Sequence, residues 1–366
     1  MYIKKLELSN FRNYQSLDLS FVPGINVLYG ENGSGKTNIL EALYWVSMIK
    51  SFRTSEDYIM VRKGSDAASI GLEASENDLS KLYSFEYSLS NKRKLIKENN
   101  NKLSRVSKVI GKIPLVLFSP ENIMVIKGEP SLRRRFIDDM LSQINPEYYT
   151  VLQKYSKEVS HRNYLLKGIR EGDIPPGSLD VWNSQVMENG KRILLARKEA
   201  IKMLNAILSS KLIESPGMVE LRYFSKRFSS LEPDDITEAF REFFSRHRDE
   251  EIARATTLIG PHRDDIEILY KGAGAKQYAS EGQQRLTAIL IKLAEGLLIR
   301  ERRGIFPVVL LDDFSSELDI PNRGFIGNTF KQFKQIIITT TYKSNLEGFN
   351  PAREFTVKDG KVVENI

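Results

Sequence analysis

A chain of 366 residues with 54 lysines and arginines against 47 aspartates and glutamates carries a formal charge of +7 and is long enough for two or three packed units. The absence of cysteine excludes disulfides and thiolate metal sites, and no apolar run approaches the ~18–20 residues that span a bilayer. With no low-complexity tract and no repeat at a solenoid period, the composition points to a soluble, cytoplasmic globular protein whose mild basicity makes anionic partners worth testing.

The N-terminal stretch MYIKKLELSNF alternates like a strand and lacks the apolar core of a signal peptide. LDLSF and INVLY continue the strand pattern, with Pro23-Gly24 marking the turn between them. KTNILEALYWVSMI then places Ile39, Leu40, Leu43, Tyr44 and Val46 at helical spacing. From Ala68 to Leu103, short alternating runs punctuated by Asn91 and Asn99-Asn100-Asn101 predict an antiparallel meander, and IPLVLF suits a buried strand. Helical periodicity dominates from about Ser131 to Arg248, broken by DIPPGS and by ESPGMVELRYF, which has room for one strand. IEILY, FPVVLLDDF and QIIITTT read as strands in the remainder, with a long helix starting at Gln283. An α/β beginning and end around a helical middle predicts one core closed by both termini with an inserted helical lobe. The expected divisions are 1–118, 119–250 and 251–366.

GENGSGKT, Gly30 to Thr37, matches the phosphate-loop pattern G-x-x-x-x-G-K-[ST] and lies between a strand and a helix, where its mechanism requires it. Its backbone N–H groups from Gly30, Glu31, Asn32, Gly33, Ser34 and Gly35 can face an anion, reinforced by the helix N-terminus. Lys36 supplies a point charge for β- and γ-phosphates, and the Thr37 hydroxyl is placed for Mg²⁺. Such a match arises by chance in roughly one chain of this length in a hundred, before its context is counted. FPVVLLDDFSSELD delivers Asp312 and Asp313 from the end of a buried strand, the expected partner of that loop. Asp312 suits the Mg²⁺ shell, and Asp313 can polarise an attacking water. In SEGQQR, Ser280 alone reads as an ordinary N-cap before Leu286, Ile289, Leu290, Leu293 and Leu297. Beside the other two motifs, Ser280 and the Gly282 N–H become candidates for a γ-phosphate.

Together these stretches resemble an ABC-type ATPase head of the structural-maintenance-of-chromosomes kind, and within it the RecF family of recombination-repair proteins. LELSNFRNY, GENGSGKTNILEAL, SFRTS, PENIMVIKGEPSLRRRFIDD, GPHRDD, SEGQQR and LLDDFSSELD carry the likeness across nearly the whole chain. The resemblance implies an α/β phosphate-loop ABC-type ATPase core with a mixed sheet, an antiparallel β subdomain and an inserted helical lobe. It also implies a protein that binds ATP, Mg²⁺ and DNA, dimerises around ATP, and acts with RecR and RecO to load recombinase at gaps. Carried over by position, Gly30 to Thr37 bind ATP, Lys36 and Asp313 serve catalysis, and Thr37 and Asp312 hold Mg²⁺. Ser280, Gly282 and Gln283 then reach the partner's nucleotide, Asp319 sits at the dimer seam, and Arg12 approaches the nucleotide.

Two departures temper the likeness. Thr339-Thr340-Thr341 stands where many ABC ATPases have a histidine, and IPLVLFSPEN lacks the glutamine usual in the linking loop. An aspartate general base at Asp313 and the absent histidine both argue for slow hydrolysis, a timer or clamp in place of a motor. Basic runs at Lys92–Lys97, Lys50 and Arg53, Arg133–Arg135 and Arg300–Arg303 are candidates for sequence-independent contacts with DNA phosphates or for solvated faces, with Arg133–Arg135 alternatively bracing the lobe junction. His161, His247 and His262 lack metal-ligand spacing. The rival readings are the ATPase subunit of a membrane transporter and a nucleotide switch that never hydrolyses.

Overall fold

A computed structural model describes residues 1–76, 79–210, 217–313, 330, 332–342 and 350–365. The chain forms two compact units, one from Met1–Ile123 and Ala288–Ile366, the other from Met124–Ser210 and Ser215–Thr287. The first unit thus draws on both ends of the chain.

In the first unit, β1 (Tyr2–Phe11) and β2 (Tyr14–Ser20) pair antiparallel with Leu6 opposite Leu19 and Leu8 opposite Leu17, so one apolar face is buried. β3 (Gly24–Tyr29) leads into α1 (Lys36–Met48). β4 (Ala67–Glu76), β5 (Leu79–Ser88), β6 (Arg93–Glu98) and β7 (Asn101–Lys102) are the expected meander, completing an antiparallel sheet ordered β2-β1-β4-β5-β6-β7. β8 (Leu115–Phe118) belongs to the second sheet of this unit.

The second unit is built on α2 (Met124–Lys127), α3 (Pro130–Ile144), α4 (Pro146–Glu171) and α5 (Asp180–Leu208). Prolines occupy the first positions of α3 and α4, where no N–H partner is needed, and Asn145 caps α4 by accepting from the Glu147 N–H at 2.9 Å. β9 (Val219–Phe224), α6 (Asp235–Arg246), α7 (Arg248–Arg254), β10 (Asp265–Tyr270), β11 (Ala273–Gly274) and α8 (Ala275–Tyr278) follow. The sequence reading ends this lobe at residue 250, but the compact unit runs on to Thr287. The reason is long-range pairing: β10 lies antiparallel to β9, and Arg133 grips Asp265 with two bonds of 2.7 and 2.9 Å. GPHRDD serves the same interior. The Pro261 carbonyl accepts from Arg197 at 2.7 Å, His262 meets Tyr155 at 2.6 Å, and Asp264 accepts from Tyr223 at 2.6 Å.

α9 (Glu281–Arg303) starts two residues before the expected position. Beyond it lie β12 (Val308–Asp312), β13 (Gln335–Thr340), β14 (Arg353–Lys358) and β15 (Lys361–Asn365). The second sheet of the first unit runs β15-β14-β3-β13-β12-β8, with every pair parallel except β14–β15. β8, β12 and β13 are buried along their full length, which is why each carries consecutive apolar residues (Leu115–Phe118, Val308–Leu311 and Ile336–Ile338) where a half-exposed strand would alternate.

Candidate nucleotide site

The phosphate loop bridges β3 and α1 within this parallel sheet. Gly33 and Gly35 take φ values of +82° and +113°, a region open to glycine at little strain. A methyl group at Gly35 would lie 2.5 Å from Asn13 Nδ2, and one at Gly30 would lie 2.3 Å from the Val357 carbonyl oxygen. The loop is therefore hemmed in by the β1–β2 hairpin and by β14. The Tyr14 hydroxyl donates to the Gly35 carbonyl at 3.1 Å, and Asn13 Nδ2 donates to the Ser34 carbonyl at 3.4 Å. Glu31, Asn32 and Gly33 form the exposed crest of the loop, with Ser34, Gly35 and Lys36 buried beneath it.

Two features of this loop suit a phosphate group. Ser34 Oγ is buried without a hydrogen-bond partner among the described residues. Among the described residues, Lys36 Nζ donates only to the carbonyls of Gly30 and Glu31, at 2.6 and 2.9 Å, so its charge is folded back over the loop. Burial lowers the Lys36 pKa, opposed by the charges of Asp313 and Asp312. An incoming polyphosphate would satisfy the serine and restore the environment of an ammonium ion.

β12 delivers Asp312 to the loop. The Thr37 hydroxyl donates to Asp312 Oδ1 at 2.9 Å, and the Thr339 hydroxyl donates to the same oxygen at 2.7 Å. Burial pushes the Asp312 carboxyl up, with the Thr339 and Thr37 hydroxyls working in the opposite direction. Asp313 follows at φ +45°, uncommon for a residue with a side chain, and its N–H donates to Thr339 Oγ1 at 3.0 Å. Thr37 and Asp312 thus form a hydroxyl–carboxylate pair of the kind that holds Mg²⁺. Asp319 lies outside the described residues.

The guanidinium of Arg12, the residue expected to approach the nucleotide, spans Glu41, donating from Nε at 2.9 Å and from Nη2 at 2.5 Å. Glu41 is fully buried and lies on α1 one turn beyond Thr37. It also accepts from Ser51 Oγ at 2.5 Å and stands 3.5 Å from Arg53. From there, contacts run back to the loop: Arg53 donates to Asn38, Asn38 to Asn13, and Asn13 to Ser34. Sequence reasoning missed Glu41, although a lone acid inside an apolar helix was a usable signal. It also missed Asn13 and gave Thr339 only a negative meaning.

In the second unit, Ser280 and Gln283 form a reciprocal cap. The Ser280 N–H donates to Gln283 Oε1 at 2.9 Å, and the Gln283 N–H donates to Ser280 Oγ at 3.4 Å. Gln284 is buried and donates to the carbonyls of Ala275, Lys276 and Ala279, fixing the approach to α9. Among the described residues, nothing lies within 4 Å of a Cβ added at Gly282. Glu281 is drawn to Lys127 and Arg285, at 3.4 and 3.2 Å.

Several basic residues turn out to be committed internally. Lys94 bonds Asp57 at 2.7 Å and lies over Trp45, and Arg134 donates to the Asp264 carbonyl at 2.6 Å. Arg300 stacks over Phe306.

The sequence model of the family described as RecF/RecN/SMC N terminal domain matches residues 2–363. The DNA replication and repair protein RecF of Clostridium perfringens is 35% identical over 367 residues, 99% of either chain. The protein of the same name from Bacillus cytotoxicus is 38% identical over 370 residues, covering 99% of this chain and 98% of its own. The chain belongs to the RecF family. Two solved structures of the recombination mediator protein RecF in the RecFOR pathway, one as RecF-ATP and one as RecF-ATPrS, resemble it at a TM-score of 0.92. Each is 33% identical, with all of this chain and 98% of theirs covered. An SmcHead structure at 19% identity and a TM-score of 0.55, covering all of this chain and 98% of its own, is similar to this chain in fold alone. Among the described residues, no helix is long and apolar enough to cross a membrane.

Proposed function

We propose that this RecF-family protein is an ATP- and DNA-binding protein of recombinational repair and replication restart, working as a slow ATPase clamp that closes as a dimer on ATP. The observation that carries the nucleotide half is the Thr37–Asp312 bond of 2.9 Å beside the unpaired, buried Ser34 hydroxyl. Lys36 and the loop N–H groups bind the β- and γ-phosphates. Mg²⁺, held by Thr37 and Asp312, supplies neutralising charge for the phosphates when bound. Asp313 orients the attacking water and accepts its proton, and Arg12, fixed by Glu41, frames the loop from the hairpin side. An aspartate base and the missing histidine favour slow turnover, which suits a timer.

Ser280, Gly282 and Gln283 are assigned to the nucleotide of a second copy, with Asp319 at the seam. The exposed cap, the open space at Gly282 and the withdrawal of Glu281 toward two cations all support an anion arriving from outside. DNA is contacted through its backbone, and RecR and RecO are the protein partners by kinship. Full-length likeness to RecF proteins leaves the transporter reading without support.

The test is the mass in solution with and without ATP and DNA for wild type, Lys36→Ala and Ser280→Ala. Wild type should dimerise on ATP, Lys36→Ala should fail to bind nucleotide, and Ser280→Ala should bind ATP as a monomer. Normal dimerisation of Ser280→Ala would end the assignment of that serine to the partner's nucleotide.

A further inference from the structure

Thr339 is completely buried near the end of β13, an interior strand of the sheet with β3 on one side and β12 on the other. A hydroxyl has one hydrogen to give, and here it goes to Asp312 Oδ1 at 2.7 Å. The Thr339 hydroxyl oxygen in turn accepts the Asp313 N–H at 3.0 Å. One side chain therefore fixes both acidic residues, by opposite halves of its hydrogen-bonding capacity. Asp313 sits in the left-handed region at φ +45°, a conformation that persists only where surrounding bonds hold it. Asp312 Oδ1 takes the two hydroxyls of Thr37 and Thr339, which leaves Oδ2 without a protein donor among the described residues.

We infer that Thr339 is a positioning residue for nucleotide-linked Mg²⁺ binding, acting through Asp312 and Asp313. From the neighbouring strand, within the sheet, it holds the acidic pair in register with the phosphate loop. Parallel pairing of Asp312 with Thr339 sets this geometry, since the two residues are register partners of β12 and β13. The inference rests on the proposed ATP site. If wild type binds no ATP, that site has failed; if wild type binds and the variants below behave alike, only Thr339 has failed.

Valine matches threonine in shape and strand preference and removes only the hydroxyl. In the full chain, equilibrium binding of a fluorescent ATP analogue is measured in EDTA and across a Mg²⁺ titration. Thr339→Val should bind the analogue in EDTA as wild type does, because Lys36 and the loop are untouched. Its Mg²⁺ midpoint should rise by roughly tenfold, the scale of one hydrogen bond to a carboxylate, and Thr339→Ser should recover most of the shift. In Asp312→Asn the added Thr339→Val change should have no further effect on the midpoint, since both act on one group. An unchanged midpoint in Thr339→Val would overturn the inference. So would full additivity with Asp312→Asn, which would mark Thr339 as a packing residue.

Discussion

Replacing Glu41 with alanine tests whether the cations beside the phosphate loop are held by this one carboxylate. Glu41 has no solvent exposure, and the Arg12 side chain retains 15%. Loss of the acid leaves Arg12 buried without a counter-charge and removes the acceptor of the Ser51 hydroxyl. Breaking a buried pair by removing one partner costs about 3–5 kcal/mol, and the residual access of water to Arg12 places the expectation near the lower end. Urea unfolding followed by Trp45 emission reports on the right region, because Trp45 lies on α1 one turn after Glu41 and packs edge-on to Phe85. The chain's other tryptophan, Trp182, belongs to the second unit and is silenced as Trp182→Phe. We expect Glu41→Ala to lose about 3 kcal/mol, and Arg12→Ala with Glu41→Ala to be more stable than Glu41→Ala alone, since no orphan charge remains. A Glu41→Ala protein within about 0.5 kcal/mol of wild type, or a double variant with additive losses, would refute the reasoning.

His262 should make the second unit acid-sensitive. Burial lowers its pKa to about 4 from an ordinary 6.5, so the unfolded chain takes up a proton over a range in which the folded one does not. Stability is then complete above pH 6.5 and drains by about 3 kcal/mol as pH falls toward 4. Unfolding at pH 7.5 and 4.5 should show that loss in wild type and less of it in His262→Gln, whose amide can still meet Tyr155 and Thr257. Gly30→Ala should abolish ATP binding in the same fluorescent titration, because its methyl group would meet the Val357 carbonyl at 2.3 Å. Asn205 donates to the Leu221 carbonyl at 2.7 Å and accepts its N–H at 2.8 Å, standing in for a missing strand beside β9. Asn205→Ala should destabilise the second unit by about 1–3 kcal/mol in urea melts.

Much of the fold was legible where burial imposes a period. The meander alternates because one face is packed, and β8, β12 and β13 carry consecutive apolar residues because both faces are. The β14–β15 hairpin went unread although Asp359-Gly360 is a strong turn signal, with φ values of +48° and +73°. The far edge of the helical unit was hidden for a different reason. Its bonds join Arg133 to Asp265 and Arg134 to Asp264, and a link between residues so far apart leaves no local pattern. The phosphate loop announced itself because its chemistry needs fixed residue types at fixed spacing. Thr339 could not, since a threonine in a strand looks like any β-branched strand former until its hydroxyl is seen on Asp312.

Ser280 shows how a capping role and a ligand role can coexist. In the cap its oxygen is an acceptor, taking the Gln283 N–H at a long 3.4 Å, so its own hydrogen remains available to an anion. The Gly282 N–H lies in the first turn of α9, where no helical partner exists. Ser280→Ala would therefore remove both functions at once, and they must be separated. Loss of an N-cap costs about 1 kcal/mol. A helix of 23 residues with a buried face tolerates that. Ser280→Asn keeps a capping oxygen and carries no hydroxyl. If the serine only caps, Ser280→Asn should melt and dimerise as wild type does. If its hydroxyl binds the partner's phosphate, Ser280→Asn should melt like wild type yet remain monomeric with ATP, and we expect that second result. Wild-type dimerisation of the asparagine variant would leave Ser280 a helix cap alone.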